Sequence, residues 1–290
     1  MVSRETDDPP IAKEAATAIR VLGSGESLPK PPRRRVITVA NQKGGVGKTT
    51  TAVNVAAAMA LRGLDVVVID LDPQGNASTA LGIDHHASIP SVYDVLIEGK
   101  GLGEVLLPVD GVPNLRCVPA TIDLAGAEIE LVSLVARESR LRRALAEAEL
   151  AADYIFIDCP PSLGLLTINA LVAAEEVLIP IQCEYYALEG LGQLLRNIEL
   201  VRAHLNPALR ISTIVLTMYD ARTRLSAQVA EDVRAHFRDL VLQTVIPRNV
   251  RISEAPSFGQ TVMTYDPGSA GALCYLNVAQ EIARATASAT

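Results

Sequence analysis

The sequence predicts an α/β fold, a mostly parallel twisted sheet with helices on both faces. Three observations predict it. Short β-branched and aliphatic runs, apolar throughout and of strand length, recur along the chain, as at residues 66–69 and 177–181. Longer segments of helical periodicity lie between them, and a glycine cluster joins the first strand to the first helix. Continuously apolar strands alternating with helices are what a parallel sheet covered on both faces requires. At 290 residues the chain could hold one large domain or two ordinary ones. No second domain and no internal repeat is visible.

Residues 1–35 are expected to be a flexible N-terminal tail. They are rich in Pro, Ser, Gly and charge, end in Lys30-Pro31-Pro32-Arg33-Arg34-Arg35, and bury too little apolar surface to offset their ordering entropy. The arginine triplet leaves a second reading open, an arm that touches nucleic acid or a partner. Residues 36–290 are expected to form the domain. Residues 36–40 make a β-branched strand that runs into the glycine cluster. Residues 49–62 then read as a helix, closed by Gly63 in a left-handed cap. A second apolar strand, 66–71, ends in acidic residues. Further strands are expected at 115–118, 154–157, 177–181, 211–217 and 242–245. Helices are expected at 123–149, 164–173, 188–204, 226–237 and 271–284.

Composition narrows the function classes. Hydrophobic residues make up 49% and aromatic residues 3%, with no Trp, so the core is aliphatic. The apolar runs fall far short of a membrane span, and no N-terminal apolar segment with a cleavage site is seen, which points to the cytoplasm. Cys117, Cys159, Cys183 and Cys274 are widely spaced, which disfavours a disulfide framework, zinc or an iron–sulfur cluster. A net charge of −7 argues against a protein that coats nucleic acid with its whole surface, yet leaves room for a local basic patch. Arginine dominates the basic residues. Of the few lysines, Lys43 and Lys48 fall within one six-residue stretch.

That stretch is the strongest motif: Lys43-Gly44-Gly45-Val46-Gly47-Lys48-Thr49-Thr50, between a strand and a helix. Glycines let the backbone wrap phosphates with several N–H groups pointing inward, and the helix N-terminus adds partial positive charge. Lys48 can reach the β- and γ-phosphates, and the Thr49 hydroxyl can ligate Mg²⁺. The usual G-x-x-x-x-G-K-[ST] pattern is not met, because Gln42 stands where its first glycine belongs. An additional lysine, Lys43, stands five residues before Lys48 instead.

A nucleotide site also needs carboxylates to hold metal and orient water. Two strand ends offer them: Asp70-Leu71-Asp72-Pro73-Gln74-Gly75-Asn76, and Asp158-Cys159-Pro160-Pro161-Ser162. Ligands of open α/β sheets gather outside the carboxyl ends of strands, so both segments could converge on the glycine loop. Taken alone, either aspartate could equally be a cap or turn residue.

The K-G-G-x-G-K-T loop resembles the deviant Walker A motif of the ParA/MinD group of P-loop ATPases. D-x-D-P-Q-G-N and the apolar run ending in D-C-P-P-S resemble that family's switch and Walker B segments. Further stretches, Pro119-Ala120-Thr121, Ala125-Gly126-Ala127-Glu128, residues 182–190, Thr217-Met218-Tyr219-Asp220-Ala221-Arg222-Thr223 and residues 245–257, look like chromosomal ParA (Soj). The resemblance covers about residues 36–285.

It implies a single-domain P-loop NTPase fold and an ATPase that uses ATP and Mg²⁺ in chromosome or plasmid partitioning. By resemblance, Lys43 reaches the partner's nucleotide across a homodimer. Asp72 positions the attacking water near the metal, and Asp158 supports Mg²⁺ together with Thr49. Asp70 is left between a switch and a structural role. Met218, Pro247 and Asn249 are expected near the adenine, and Arg222 and Arg251 on non-specific DNA. A ParB-type partner would stimulate hydrolysis on the nucleoid. Rival readings are weaker. A MinD-like protein needs a basic amphipathic C-terminal helix, which residues 283–290 do not make. An iron protein needs cluster cysteines. Plasmid relatives often carry a helix-turn-helix domain, for which 35 residues are too few. A metabolic kinase or ligase would need an acceptor pocket, for which no motif is visible.

Overall fold

The computed structural model describes residues 10–22, 27–86, 89–185 and 191–287. In chain order these form α1 (Pro10–Leu22), β1 (Arg35–Val39), α2 (Lys48–Ala60), β2 (Val66–Asp70) and α3 (Asn76–Ala80). After a single π-helical turn at Asp94–Glu98 come α4 (Leu102–Val105), β3 (Leu107–Pro108), β4 (Leu115–Val118), α5 (Leu124–Leu131) and α6 (Arg140–Glu147). Then follow β5 (Tyr154–Asp158), α7 (Leu165–Ala173), β6 (Glu176–Gln182), α8 (Leu191–His204), β7 (Arg210–Thr217) and α9 (Arg224–Phe237). The chain closes with α10 (Val250–Glu254), α11 (Val262–Tyr265) and α12 (Ala270–Ala287).

The strands make one seven-stranded sheet in the order β3-β4-β2-β5-β1-β6-β7. Every neighbouring pair is parallel except β3–β4 at the edge. Pro108 lies on that edge, the place where a residue without an N–H is tolerated. β1, β2 and β5 are buried along their whole length. Their side chains alternate between two cores. Val67, Ile69, Ile155 and Ile157 enter the layer under α5 to α9, while Val66, Val68, Tyr154 and Phe156 enter the layer under α2 and α12. Two buried faces explain why these runs are apolar throughout rather than alternating. Among the described residues, no helix is long and apolar enough to cross a membrane.

The structure departs from expectation at three places. Within the segment read as a tail, residues 10–22 are helical: α1 rests on α12, Val21 is buried, and Arg20 reaches Asn277 at 3.3 Å. The alanine-rich helical pattern gains its docking surface only from the folded domain. Residues 1–9 and 23–26 lie outside the described residues.

The expected helix at 123–149 is two helices. Ser133 Oγ donates to the Glu130 carbonyl, Ser139 Oγ to that of Ala136, and an Arg137 guanidinium N–H to that of Val132, so side chains take carbonyls that a continuing helix would use. Ala136 takes a left-handed φ of 54° between them.

The expected strand at 242–245 does not form; one bridge, Ile214 with Val241, stands just before it. Beyond it the chain gives only single hydrogen bonds, such as Ile246 N to Leu216 O at 2.8 Å, before Pro247. The start of the helix expected at 188–204, with the rest of 186–190, lies outside the described residues.

Candidate phosphate-binding site

The sheet brings three strand ends together. Val39 pairs in register with Asp158, and Asp158 with Asp70, so the glycine loop after β1 opens beside both carboxylates. The loop is fixed from below. Asn41 donates to the Pro180 carbonyl at 2.8 Å and accepts from the Lys43 N–H at 3.0 Å, and Thr217 Oγ1 donates to the Val46 carbonyl at 2.8 Å. Gly47, immediately before α2, has φ 87° and Gly45 φ 73°, a region costly for any residue with a Cβ. Over Gly44 and Gly45 an added Cβ would meet nothing within 4 Å, so the loop faces open space that a ligand can fill.

That space is a cleft of about 510 Å³ lined by Gly44, Gly45, Gly47, Lys48, Thr49, Thr50, Asp72 and Met218. It adjoins a smaller cleft of about 250 Å³ that shares Gly47, Thr50 and Met218 and adds Pro247 and Asn249. Met218, Pro247 and Asn249, the residues expected near an adenine, therefore sit where the first cleft continues. Met218 holds a left-handed φ of 51°, and Tyr219 bridges to Pro247, which fixes the turn between them. A cleft of similar size, about 500 Å³, lies between the 99–104 turn and α6, away from these residues. Its Lys100 and Arg143 are already held by Asp94 and Glu147.

Beneath the cleft, Asp158 is completely buried and neither carboxylate oxygen has a full hydrogen-bond partner. Burial, reinforced by Asp70, pushes its pKa well above the ordinary carboxylate range, and the Thr49 hydroxyl and Lys48 only partly oppose this. Lys48 is itself only 7% exposed, and burial lowers its pKa despite Asp158, Cys159 and Asp72 nearby. Its ammonium donates to the Lys43 carbonyl at 3.2 Å. An unsatisfied buried carboxylate beside a hydroxyl and an ammonium fits a divalent cation with phosphate oxygens.

Asp70 has a different fate. Its oxygens accept from Asp72 N at 3.1 Å and from both N and Oγ of Ser78 at 2.8 Å. Burial still raises its pKa to about 6. Asp70 is thus a latch that holds α3 and the Asp72 turn, and no unspent oxygen faces the cleft. Asp72 lines the cleft while accepting from Gln74 N at 3.0 Å. The Ser78, Asn41 and Thr217 contacts were missed by sequence reasoning: those of Asn41 and Thr217 join segments far apart in the chain, and no local pattern ties Ser78 to Asp70 eight residues away.

A family model described as an AAA domain matches residues 34–211. The sporulation initiation inhibitor protein Soj of Bacillus subtilis is 55% identical over 249 residues, 86% of this chain and 98% of that protein. The chain belongs to the ParA/Soj family. The chromosome partitioning protein ParA of Myxococcus xanthus is 51% identical over 248 residues, 86% of this chain and 87% of that protein. Among solved structures, a cobyrinic acid a,c-diamide synthase from Mycobacterium smegmatis with bound ATP analogue and magnesium has a TM-score of 0.77. It is 40% identical and covers 89% of this chain and 98% of that one.

The remaining ParA-type residues lie outside the clefts. Lys43 does not line the cleft, and its ammonium lies 3.9 Å from Glu184, which also holds Arg248 at 3.1 Å. Arg222 is exposed and paired with Asp220 at 2.8 Å, an ion pair that holds the Asp220 carboxyl down at about 2. Arg251 pairs with Glu254 at 3.0 Å and Asp266 at 3.1 Å.

Proposed function

We propose that the chain is a Mg²⁺-dependent ATPase of chromosome or plasmid partitioning, whose ATP-bound homodimer holds DNA without regard to sequence. The observation that carries it is the convergence of Lys48, Thr49, Asp72 and Asp158 on one cleft that continues to Met218, Pro247 and Asn249. The loop N–H groups and Lys48 bind the phosphates, and Lys48 leaves the Lys43 carbonyl to do so. Thr49 and Asp158 would hold Mg²⁺, which supplies charge neutralisation at the β- and γ-phosphates. Asp72 orients the attacking water.

That Lys43 does not line its own cleft supports a role on a second copy's nucleotide. So do the exposed apolar side chains of Ile129, Val132 and Val135. They continue from α5, whose Glu128 carboxylate packs on Gly164 in the loop that leads from Asp158 past the cleft. Dimerisation doubles the arginine patch, so a chain of net charge −7 gains DNA affinity only when ATP is bound. Hydrolysis, stimulated by a ParB-type partner on the nucleoid, returns cytoplasmic monomers.

A second reading, an ATP-dependent ligase, has the likeness to the diamide synthase in its favour. The two separate in one experiment: affinity for unrelated duplex DNA with ADP, ATP and a non-hydrolysable analogue, with mass followed by light scattering. The partitioning reading expects dimers and DNA binding only with ATP or the analogue. Monomers that ignore DNA in every state would overturn it. Within that experiment Lys43→Ala is expected to bind ATP yet dimerise poorly, and normal dimers would reduce Lys43 to a loop residue.

A further inference from the structure

Two short elements end back to back beside the cleft. α3 closes on Gly82, φ 67°, and the 3-10 helix Ala255–Phe258 that follows α10 closes on Gly259, φ 62°. Left-handed glycines are common at helix ends. Their separation is what sets these two apart. A Cβ on Gly82 would stand 2.8 Å from the Gly259 carbonyl oxygen, and a Cβ on Gly259 would stand 3.1 Å from the Gly82 Cα. Both neighbours are backbone, so no rotamer change relieves the crowding. Gly111, with a similar φ of 74°, has nothing within 4 Å. Backbone conformation alone accounts for Gly111, whereas the Gly82–Gly259 pair also serves a close approach.

Each side of this contact leads to a different site. On one side, Ser78 of α3 is bound to Asp70, and Asp70 to the Asp72 turn. On the other, Pro256 lines the cleft, and Glu254 at the end of α10 holds Arg251 at 3.0 Å. We propose that the Gly82–Gly259 contact couples the Asp72 turn to the placement of Arg251, so that the γ-phosphate of bound ATP sets DNA affinity. This rests on the reading of the chain as an ATP-controlled DNA-binding protein. Both glycines are positioning residues. With backbone against backbone, a shift of α3 displaces the 3-10 helix instead of being absorbed by side chains.

The test uses the full chain with Gly82→Asn, since Asn tolerates a left-handed φ, and Gly111→Asn as the control for backbone conformation. The readout is the ratio of duplex DNA affinities with non-hydrolysable ATP analogue and with ADP, alongside affinity for the analogue itself. Gly111→Asn is expected to keep the wild-type ratio. Gly82→Asn is expected to keep nucleotide affinity and lose about tenfold or more of that ratio. An unchanged ratio in Gly82→Asn overturns the coupling and leaves the functional reading standing. Equal DNA affinities in wild type overturn the functional reading itself, and the coupling with it. If Gly82→Asn does not fold, hydrogen exchange on wild type decides. Exchanging ADP for the analogue is expected to change protection at residues 79–83 and 255–260 together, and a change confined to the first segment overturns the proposal.

Discussion

Asp70 and Asp158 stand side by side in register, both fully buried, and chemistry separates them through their partners alone. Asp70 accepts three well-formed hydrogen bonds, whereas Asp158 has only the nearby Thr49 hydroxyl and Lys48 to set against its burial. An unpaired buried polar group costs about 1–3 kcal/mol, and an ionised carboxylate costs more. Its folded pKa is raised above the ordinary 3.8, so the folded state holds a proton that the unfolded state releases. Stability is therefore lost as pH rises from the ordinary value toward the raised folded one. Asp158→Asn should make the nucleotide-free protein more stable at pH 7 by about 1–3 kcal/mol in urea unfolding, and flatten its pH dependence. The same variant should lose Mg²⁺-dependent ATP affinity. A destabilised variant would mean that Asp158 is a structural residue. Site function would then be bought at the expense of stability nowhere in this pair.

At the scale of elements, α3 has only five residues and cannot be stable by itself. Ser78 is what holds it. Its Oγ donates to Asp70 at 2.8 Å and accepts from Ala120 N at 3.1 Å, tying three segments at one atom. Ser78→Ala removes a donor from one buried group and an acceptor from another. The expected cost is about 1–3 kcal/mol, read in urea unfolding, with slower ATP hydrolysis because the Asp72 turn loses its anchor. Unaltered turnover would separate α3 from the switch. The motif around Asp72 was legible in the sequence as acidic residues at a strand end; the structure adds the left-handed φ of 63° at Gly75. The serine was not, since nothing local marks it as the partner of a carboxylate eight residues away.

For the whole molecule, the proposed DNA binding asks how a chain of net charge −7 could hold a polyanion. Arg222 and Arg251 are exposed but engaged with Asp220, Glu254 and Asp266, so phosphate must compete with carboxylates that exposure to water keeps weak. Contacts to phosphates ignore base sequence. In a dimer each substitution removes two contacts, so Arg222→Ala or Arg251→Ala should lower the slope of log affinity against log salt by up to about two. Nucleotide binding should survive, because neither residue lines the cleft. A salt titration with the ATP analogue bound checks this, and unchanged slopes in both variants would remove the arginines from the DNA face.

The sequence by itself determined the sheet-and-helix alternation, the glycine loop with Lys43 and Lys48, and the strand-end aspartates. These depend on periodicity and turn chemistry, which act over a few residues. Tertiary structure decided how deeply each aspartate is buried and which groups it meets, because these come from other segments of the chain. It also decided that residues 123–149 break at Ala136, that 242–245 do not form a strand, and that α1 has a surface to rest on. The continuation of the phosphate cleft to Pro247 and Asn249 belongs to the same class. A pocket assembled from the glycine loop after β1, the end of β7 and the turn before α10 exists only once the sheet has set their order, and no local pattern encodes that distance.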